Sequence, residues 1–179
     1  DGSHFALTSS IVNNHTVCID EYVNYTGKID YCLKDGHFFS DRLPGNALLM
    51  IPFFEYGNLL NKISFSISDH KPIQEVTVIL LPNICGVLGV LLVFLFSIYF
   101  NNSYNMSLLV AIIFAICTLN LQESTHVFSH APSMLLVLLA FWCLIVSKNI
   151  YSKHFYFFVA FLSYSTIVEL QNILLFLPA

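Results

Sequence analysis

Charge is scarce in this sequence. Of its 179 residues 10% are charged, against about 25% in an ordinary soluble domain. Seven Lys and Arg residues form no basic stripe, so nucleic acid is not an expected partner. Five cysteines are present but no C-x-x-C pair, which argues against a thiolate zinc site. There is no internal repeat and no low-complexity tract. No basic stretch leads into an apolar run near the start, so no signal peptide is visible, and the first residue is Asp1 rather than Met. The last residues, Leu174 to Ala179, stop without a polar tail. These two ends lead to the expectation that the chain is a piece of a longer protein.

Apolar residues fill the space that charge leaves. They make up 56% of the chain, and the mean hydropathy is +0.73. Composition alone does not separate a membrane protein from a buried core, so run length decides: a spanning helix needs roughly 20 mostly apolar residues. Nine of the eleven acids and five of the seven bases lie before Val76. The sequence therefore reads as an all-α polytopic membrane protein. Residues 1–75 form an outer loop with interfacial helices and a small hairpin. Residues 76–179 form a bundle of about four transmembrane helices, over 76–100, 106–123, 131–147 and 155–177. Pro82, Gly86 and Gly89 in the first run suit a spanning helix, where Gly and Pro are common. Gly86 and Gly89 allow close helix contact, although the GxxxG spacing is absent. Pro132 fits the first turn of the third helix, where its missing N–H costs nothing.

Orientation follows from the short connection Lys148–His154, whose two lysines mark it as cytoplasmic by the positive-inside rule. Residues 1–75, the Glu123–His130 connection and the C-terminal end are then extracytoplasmic, in a plasma-membrane protein. Four N-x-S/T triplets begin at Asn14, Asn24, Asn101 and Asn105. The last two fall on the cytoplasmic side of this topology and should carry no glycan.

The outer segment has internal signals. Ser3–Val12 reads as a helix along the membrane surface. Asp35-Gly36, between Tyr31-Cys32-Leu33 and His37-Phe38-Phe39, is a hairpin signal. Thr26-Gly27 marks an earlier turn, and Gly45–Leu60 an apolar helix sunk at the interface. Cys18 and Cys32 lie in a compartment where oxidation can occur. A bridge between them would close a loop of about 15 residues, worth roughly 3 kcal/mol. Two free thiols are the alternative.

Three groups of residues could carry chemistry. The first is Asp1-Gly2-Ser3-His4. The second is Ser40-Asp41-Arg42-Leu43-Pro44. The third runs from Glu123 through His126 to His130. Glu123, His126 and His130 stand at i, i+3 and i+7, so on a continuous helix they share a face that suits a divalent metal or a phosphate. Glu169 lies in the last apolar run. A membrane-buried acid is costly and normally faces a cavity or a partner, so it is expected to face the bundle near mid-membrane. Each of these has a plainer role as well: a helix cap for Asp1, a headgroup anchor for Arg42, and wet helix ends for Glu123, His126 and His130.

Four segments resemble a known family. They are DGSHFALTSSIV (1–12), YCLKDGHFFSDRLPGNALLMIPFF (31–54), STHVFSHAPSMLLVLLAFW (124–142) and VELQNILLFLP (168–178). Their order is similar to the front part of GT-C membrane glycosyltransferases, of the protein O-mannosyltransferase and lipid A aminoarabinose transferase kind. The resemblance implies transfer of a sugar from a polyprenyl-phosphate donor at the outer membrane face. The acceptor, protein or glycolipid, stays open, as does a divalent metal cofactor. Asp1 matches the acid opening the family's first outer loop, the general base on the acceptor. Arg42 matches the basic residue that holds the lipid phosphate, a task suited to its planar fork. Asp41, His4 and His130 are the accompanying candidates for substrate binding. Two positions depart from the pattern: Asp1-Gly2 replaces an acidic pair, and Leu43-Pro44 replaces Pro-Pro. Chemically, inverting transfer needs a base at the acceptor and positive charge at the departing phosphate. The alternatives are a non-catalytic scaffold or binding subunit of the same fold and, less well matched, a transporter. A transporter would concentrate polar residues inside its spans.

Overall fold

Turn chemistry and apolar runs set the elements, which are mostly helical. The computed structural model describes residues 2–63, 72–147 and 149–176. The chain folds as two compact units, Asp1–Leu81 and Pro82–Ala179.

The first unit opens with helix α1 (Gly2–Asn14) and a 3-10 turn, Asp20–Thr26. Strands β1 (Tyr31–Lys34) and β2 (His37–Ser40) follow as an antiparallel pair, with Lys34 opposite His37 and Tyr31 opposite Ser40. Asp35 and Gly36 both take positive φ, 54° and 83°. A two-residue loop matched to strand twist needs that conformation, and Asp-Gly supplies it at little steric cost. Helix α2 (Pro44–Ile63) has Pro at its first position and Pro52 inside, and helix α3 (Ile73–Val78) closes the unit.

Helix α1 corrects the surface reading made for residues 3–12. Eight consecutive residues, Ser3–Ser10, are buried, so the helix is enclosed on every face. Its hydroxyls are accommodated by bonding. The Thr8 hydroxyl lies 2.8 Å from the His4 carbonyl and 3.0 Å from that of Ala47 on α2. Ser9 donates to the Phe5 carbonyl at 2.8 Å, and Ser10 donates to the Cys18 carbonyl. Ala6, Leu7, Ile19 and Ala47 form the adjoining core. Full burial of a side chain such as Ile19 contributes about 1.5–3 kcal/mol. Gly2 is required by proximity: a Cβ there would stand 1.6 Å from the Tyr25 carbonyl oxygen.

The hairpin favours the free-thiol alternative for Cys18 and Cys32. Phe39 is the register partner of Cys32 on one side and bridges to Cys18 on the other. With neighbouring strands about 4.5–5.5 Å apart, the two cysteines are about 10 Å apart across Phe39. A disulfide needs Cα atoms within about 7 Å. Both are free thiols.

The second unit contains helix α4 (Leu80–Tyr99, beginning at the unit boundary), α5 (Tyr104–Cys117), the short α6 (Asn120–Ser124), α7 (His130–Val146) and α8 (Lys153–Val168). A 3-10 helix, Leu170–Phe176, follows. Helices α7 and α8 pack through Ala140, Cys143, Phe158 and Leu162. Trp142 of α7 meets Phe96 of α4 edge-on at 5.2 Å. Gly86 of α4 lets α6 approach: a Cβ there would lie 2.4 Å from Ser124 Cβ.

Among the described residues, one helical stretch, Ile73–Tyr99 of 27 residues, is long and apolar enough to cross a membrane. The other expected spans are shorter. The run at 106–123 breaks after the 14 residues of α5. At about 1.5 Å per residue these reach about 21 Å, short of the roughly 30 Å apolar layer. Thr118 causes the break: its hydroxyl accepts from Asn120 N at 3.2 Å and donates to the Phe114 carbonyl at 2.6 Å, offering the backbone a non-helical alternative. The run at 155–177 ends as α-helix at Val168, where Glu169 turns extended.

Helix α5 carries an unusual burial pattern. Its buried residues are Ser107 and Ala111, while Leu108, Leu109, Ile112, Ile113 and Ile116 are all exposed.

Candidate functional site

Two groups of candidate residues are assembled, one in each unit. In the first, the end of β2 meets the start of α1. Ser3 Oγ and Ser40 Oγ lie 2.6 Å apart, and Arg42 N donates to the same Ser40 oxygen at 3.1 Å. Residues 37 positions apart are joined in this way. The Arg42 guanidinium is anchored by Asp30, whose Oδ1 accepts from Nη2 at 2.8 Å. Asp41 Oδ1 stands 3.7 Å from Arg42 Nε. Anchoring one edge of a planar, five-donor guanidinium fixes the direction in which it can meet an oxyanion. His4 is buried within α1 beside this junction. Asp1 lies outside the described residues.

A second acid orders the hairpin. Asp20 accepts from Phe38 N at 2.6 Å and lies 2.7 Å from His37 Nδ1. The Phe38 amide first, and His37 second, hold its carboxyl below the usual carboxylate range. Neither Asp20 nor Asp30 was singled out from the sequence. Their partners are 17, 18 and 12 residues away, a spacing with no local signature.

In the second unit the trio of Glu123, His126 and His130 does not share a face. Helix α6 ends at Ser124, and Thr125 caps it. His126 turns back, with Nδ1 3.0 Å from the Gln122 carbonyl, and stacks on Phe128. Among the described residues no three His, Cys, Asp or Glu side chains gather as metal ligands. The expected metal face is lost because the helix that would carry it stops.

His130 instead pairs with Glu169, Nδ1 to Oε1, at 2.5 Å. Ser129 donates to the same oxygen at 2.8 Å, and Gln171 donates to Oε2 at 2.9 Å. Beneath them, Asn172 donates to Ser133 Oγ at 2.7 Å and to the Ser165 carbonyl at 3.0 Å. Glu169 is thus at the C-terminal end of α8 rather than midway along a helix, with its side chain 12% exposed. A carboxylate on Nδ1 fixes the imidazole tautomer and ring direction, leaving Nε2 for proton transfer or hydrogen bonding. The His130 side chain is 56% exposed. The Ser129, Ser133, Gln171 and Asn172 shell was not legible beforehand, though the closely spaced polar residues around His130 and Glu169 were a signal.

Beside His130 lies a cavity of about 490 Å³, with Glu123, Asn120, Phe114, Leu119 and Met134 among its walls.

The chain matches no protein-family model, no curated protein and no solved structure, so its residues and geometry carry the functional argument by themselves.

Proposed function

We propose that this chain acts as a GT-C-like membrane glycosyltransferase. It moves a sugar from a polyprenyl-phosphate donor to an acceptor at the outer membrane face. The observation that carries this reading is the Ser3–Ser40 hydrogen bond of 2.6 Å. It sets Ser3 against Ser40, residues of two of the four stretches that bear the family resemblance. Sugar transfer from a phosphate requires a base for the acceptor and positive charge for the leaving group, the roles this reading gives to Asp1 and Arg42.

The membrane part of the reading is supported by α5. Exposing five large apolar side chains while burying Ser107 and Ala111 is costly in water. In lipid it is the expected arrangement, since small residues line helix contacts and large apolar ones meet the acyl chains. Residues 1–75 then form the extracytoplasmic part, and His130, held by Glu169, is a further group able to contact substrate.

Asp1→Asn in the full-length protein tests the assignment of the base. Donor binding should stay nearly intact while the transfer rate falls by about 10²–10⁴-fold, the contribution of a positioned base. Undiminished transfer by Asp1→Asn would remove Asp1 from the mechanism.

A further inference from the structure

Helix α2 has two apolar faces, and the first unit covers only one. Ala47, Met50, Phe54 and Gly57 are buried. Phe54 meets Phe5 of α1 with ring centroids 5.7 Å apart, and a Cβ on Gly57 would stand 2.5 Å from Thr77 Oγ1 of α3. On the other side Leu48, Pro52, Tyr56, Leu59 and Ile63 are all exposed. They recur every three or four residues, the spacing of one helix face, so they form a continuous apolar stripe. At about 1.5 Å per residue the stripe is about 22 Å long. Glu55 and Lys62 stand on one border of it, and no charge lies within it. A contiguous apolar surface of this kind marks a contact with a membrane or another protein.

The attachment of α2 decides between them. Gln74 Nε2 donates to Asn58 Oδ1 at 2.8 Å, so α2 is fastened to α3 at Asn58 as well as at Gly57. Helix α3 begins the stretch Ile73–Tyr99, which is long and apolar enough to cross a membrane. Its 27 residues reach about 40 Å, more than the roughly 30 Å apolar layer. Gln74 and Glu75 are the polar residues at its start, the end that belongs at headgroup level.

We propose that the exposed stripe of α2 lies on the bilayer surface, with Leu48, Leu59 and Ile63 at the acyl-chain boundary and Glu55 and Lys62 among the headgroups. Tyr56 suits that depth, since its ring is apolar and its hydroxyl polar. The Lys62 stem lets its ammonium reach water. Pro52 limits the depth: it supplies no amide to the Leu48 carbonyl, which needs water and so keeps the helix at the interface. A second copy of the chain could cover an apolar stripe, but the fastening of α2 to the start of the spanning stretch would then be without consequence. The inference rests on the membrane part of the proposed function and not on sugar transfer.

Photocrosslinking of the full-length protein in phosphatidylcholine nanodiscs, with p-benzoylphenylalanine at Leu59, tests the proposal. The same probe at Ile113 of α5 reports on the membrane reading itself. Mass spectrometry should find lipid adducts at both positions in similar yield. Adducts at Ile113 with none at Leu59 overturn the proposal and leave the membrane reading standing. Adducts at neither position overturn both. Crosslinking of Leu59 to a second copy of the chain in place of lipid assigns the stripe to a protein interface and overturns the proposal as well.

Discussion

The two units obey opposite rules of burial. In the first, α1 hides Ser3, Thr8, Ser9 and Ser10 along with Phe5, Ala6 and Leu7, and hydrogen bonds link these hydroxyls to α2, to β2 and to the loop before the 3-10 turn. In the second, α5 buries one hydroxyl and one methyl and turns its large side chains outward. Hydroxyl burial in the first unit is compatible with water outside because each group is bonded. The outward apolar face of α5 is compatible with lipid outside. The contrast teaches that hydropathy summed over a chain describes neither unit; what counts is which side of each helix is covered.

The largest expected effect comes from putting a charge on each unit's surface. On the proposed reading, Ile113→Lys places an ammonium in the acyl layer at a cost of about 2.5–3.5 kcal/mol. Leu33→Lys, at a position 63% exposed on the hairpin, should stay within about 0.5 kcal/mol. Reversible unfolding in lipid nanodiscs measures both. Two small effects would mean that α5 faces water or a protein partner.

A smaller effect is expected at the close approaches of α4. Gly86→Ala drives a methyl against Ser124 Cβ, 2.4 Å away, so one helix must shift, at about 1–3 kcal/mol. Gly89→Ala comes closest to the Cε of Met134, at 2.5 Å, the end of a flexible side chain. Its cost should be clearly less. Equal losses in thermal unfolding would show that α4 and α6 are not held as described.

The smallest effect concerns pH and the first unit alone. The folded Asp20 carboxyl titrates below its ordinary value of 3.8, held there by Phe38 N and then by His37. Its stabilising contribution is therefore present above pH 3.8 and is lost as pH falls through the lower, folded value. Wild type should exceed Asp20→Asn in stability near neutrality, and the gap should close in acid. A gap that persists at low pH would assign the difference to something other than this carboxylate.

Local chemistry was legible in the sequence and long-range pairing was not. Asp35-Gly36 specifies its hairpin because few residues tolerate two successive positive φ values. Gly27 likewise ends the 3-10 turn in the left-handed region, at φ 62°. The break at Thr118 was hidden by the apolar run around it, although Thr118 and Asn120 are residues that compete with helix for backbone partners. The enclosure of α1 was hidden for the converse reason: its Ser, Thr and His residues read as a wet surface until their partners are known. At the candidate sites, Asp41 and Arg42 were visible as neighbours. The Asp30 anchor was not, and the Glu169–His130 pair joins residues that only helix packing brings together.

On the proposed reading Arg42, anchored by Asp30, holds the phosphate of a lipid-linked sugar. Donor affinity of the full-length protein measures this directly, compared across wild type, Arg42→Lys and Arg42→Ala. The account predicts that alanine weakens binding most and that lysine, which keeps the charge but loses the fork, falls between the two. Equal donor affinity in wild type and Arg42→Ala would contradict it and put the non-catalytic scaffold reading in front.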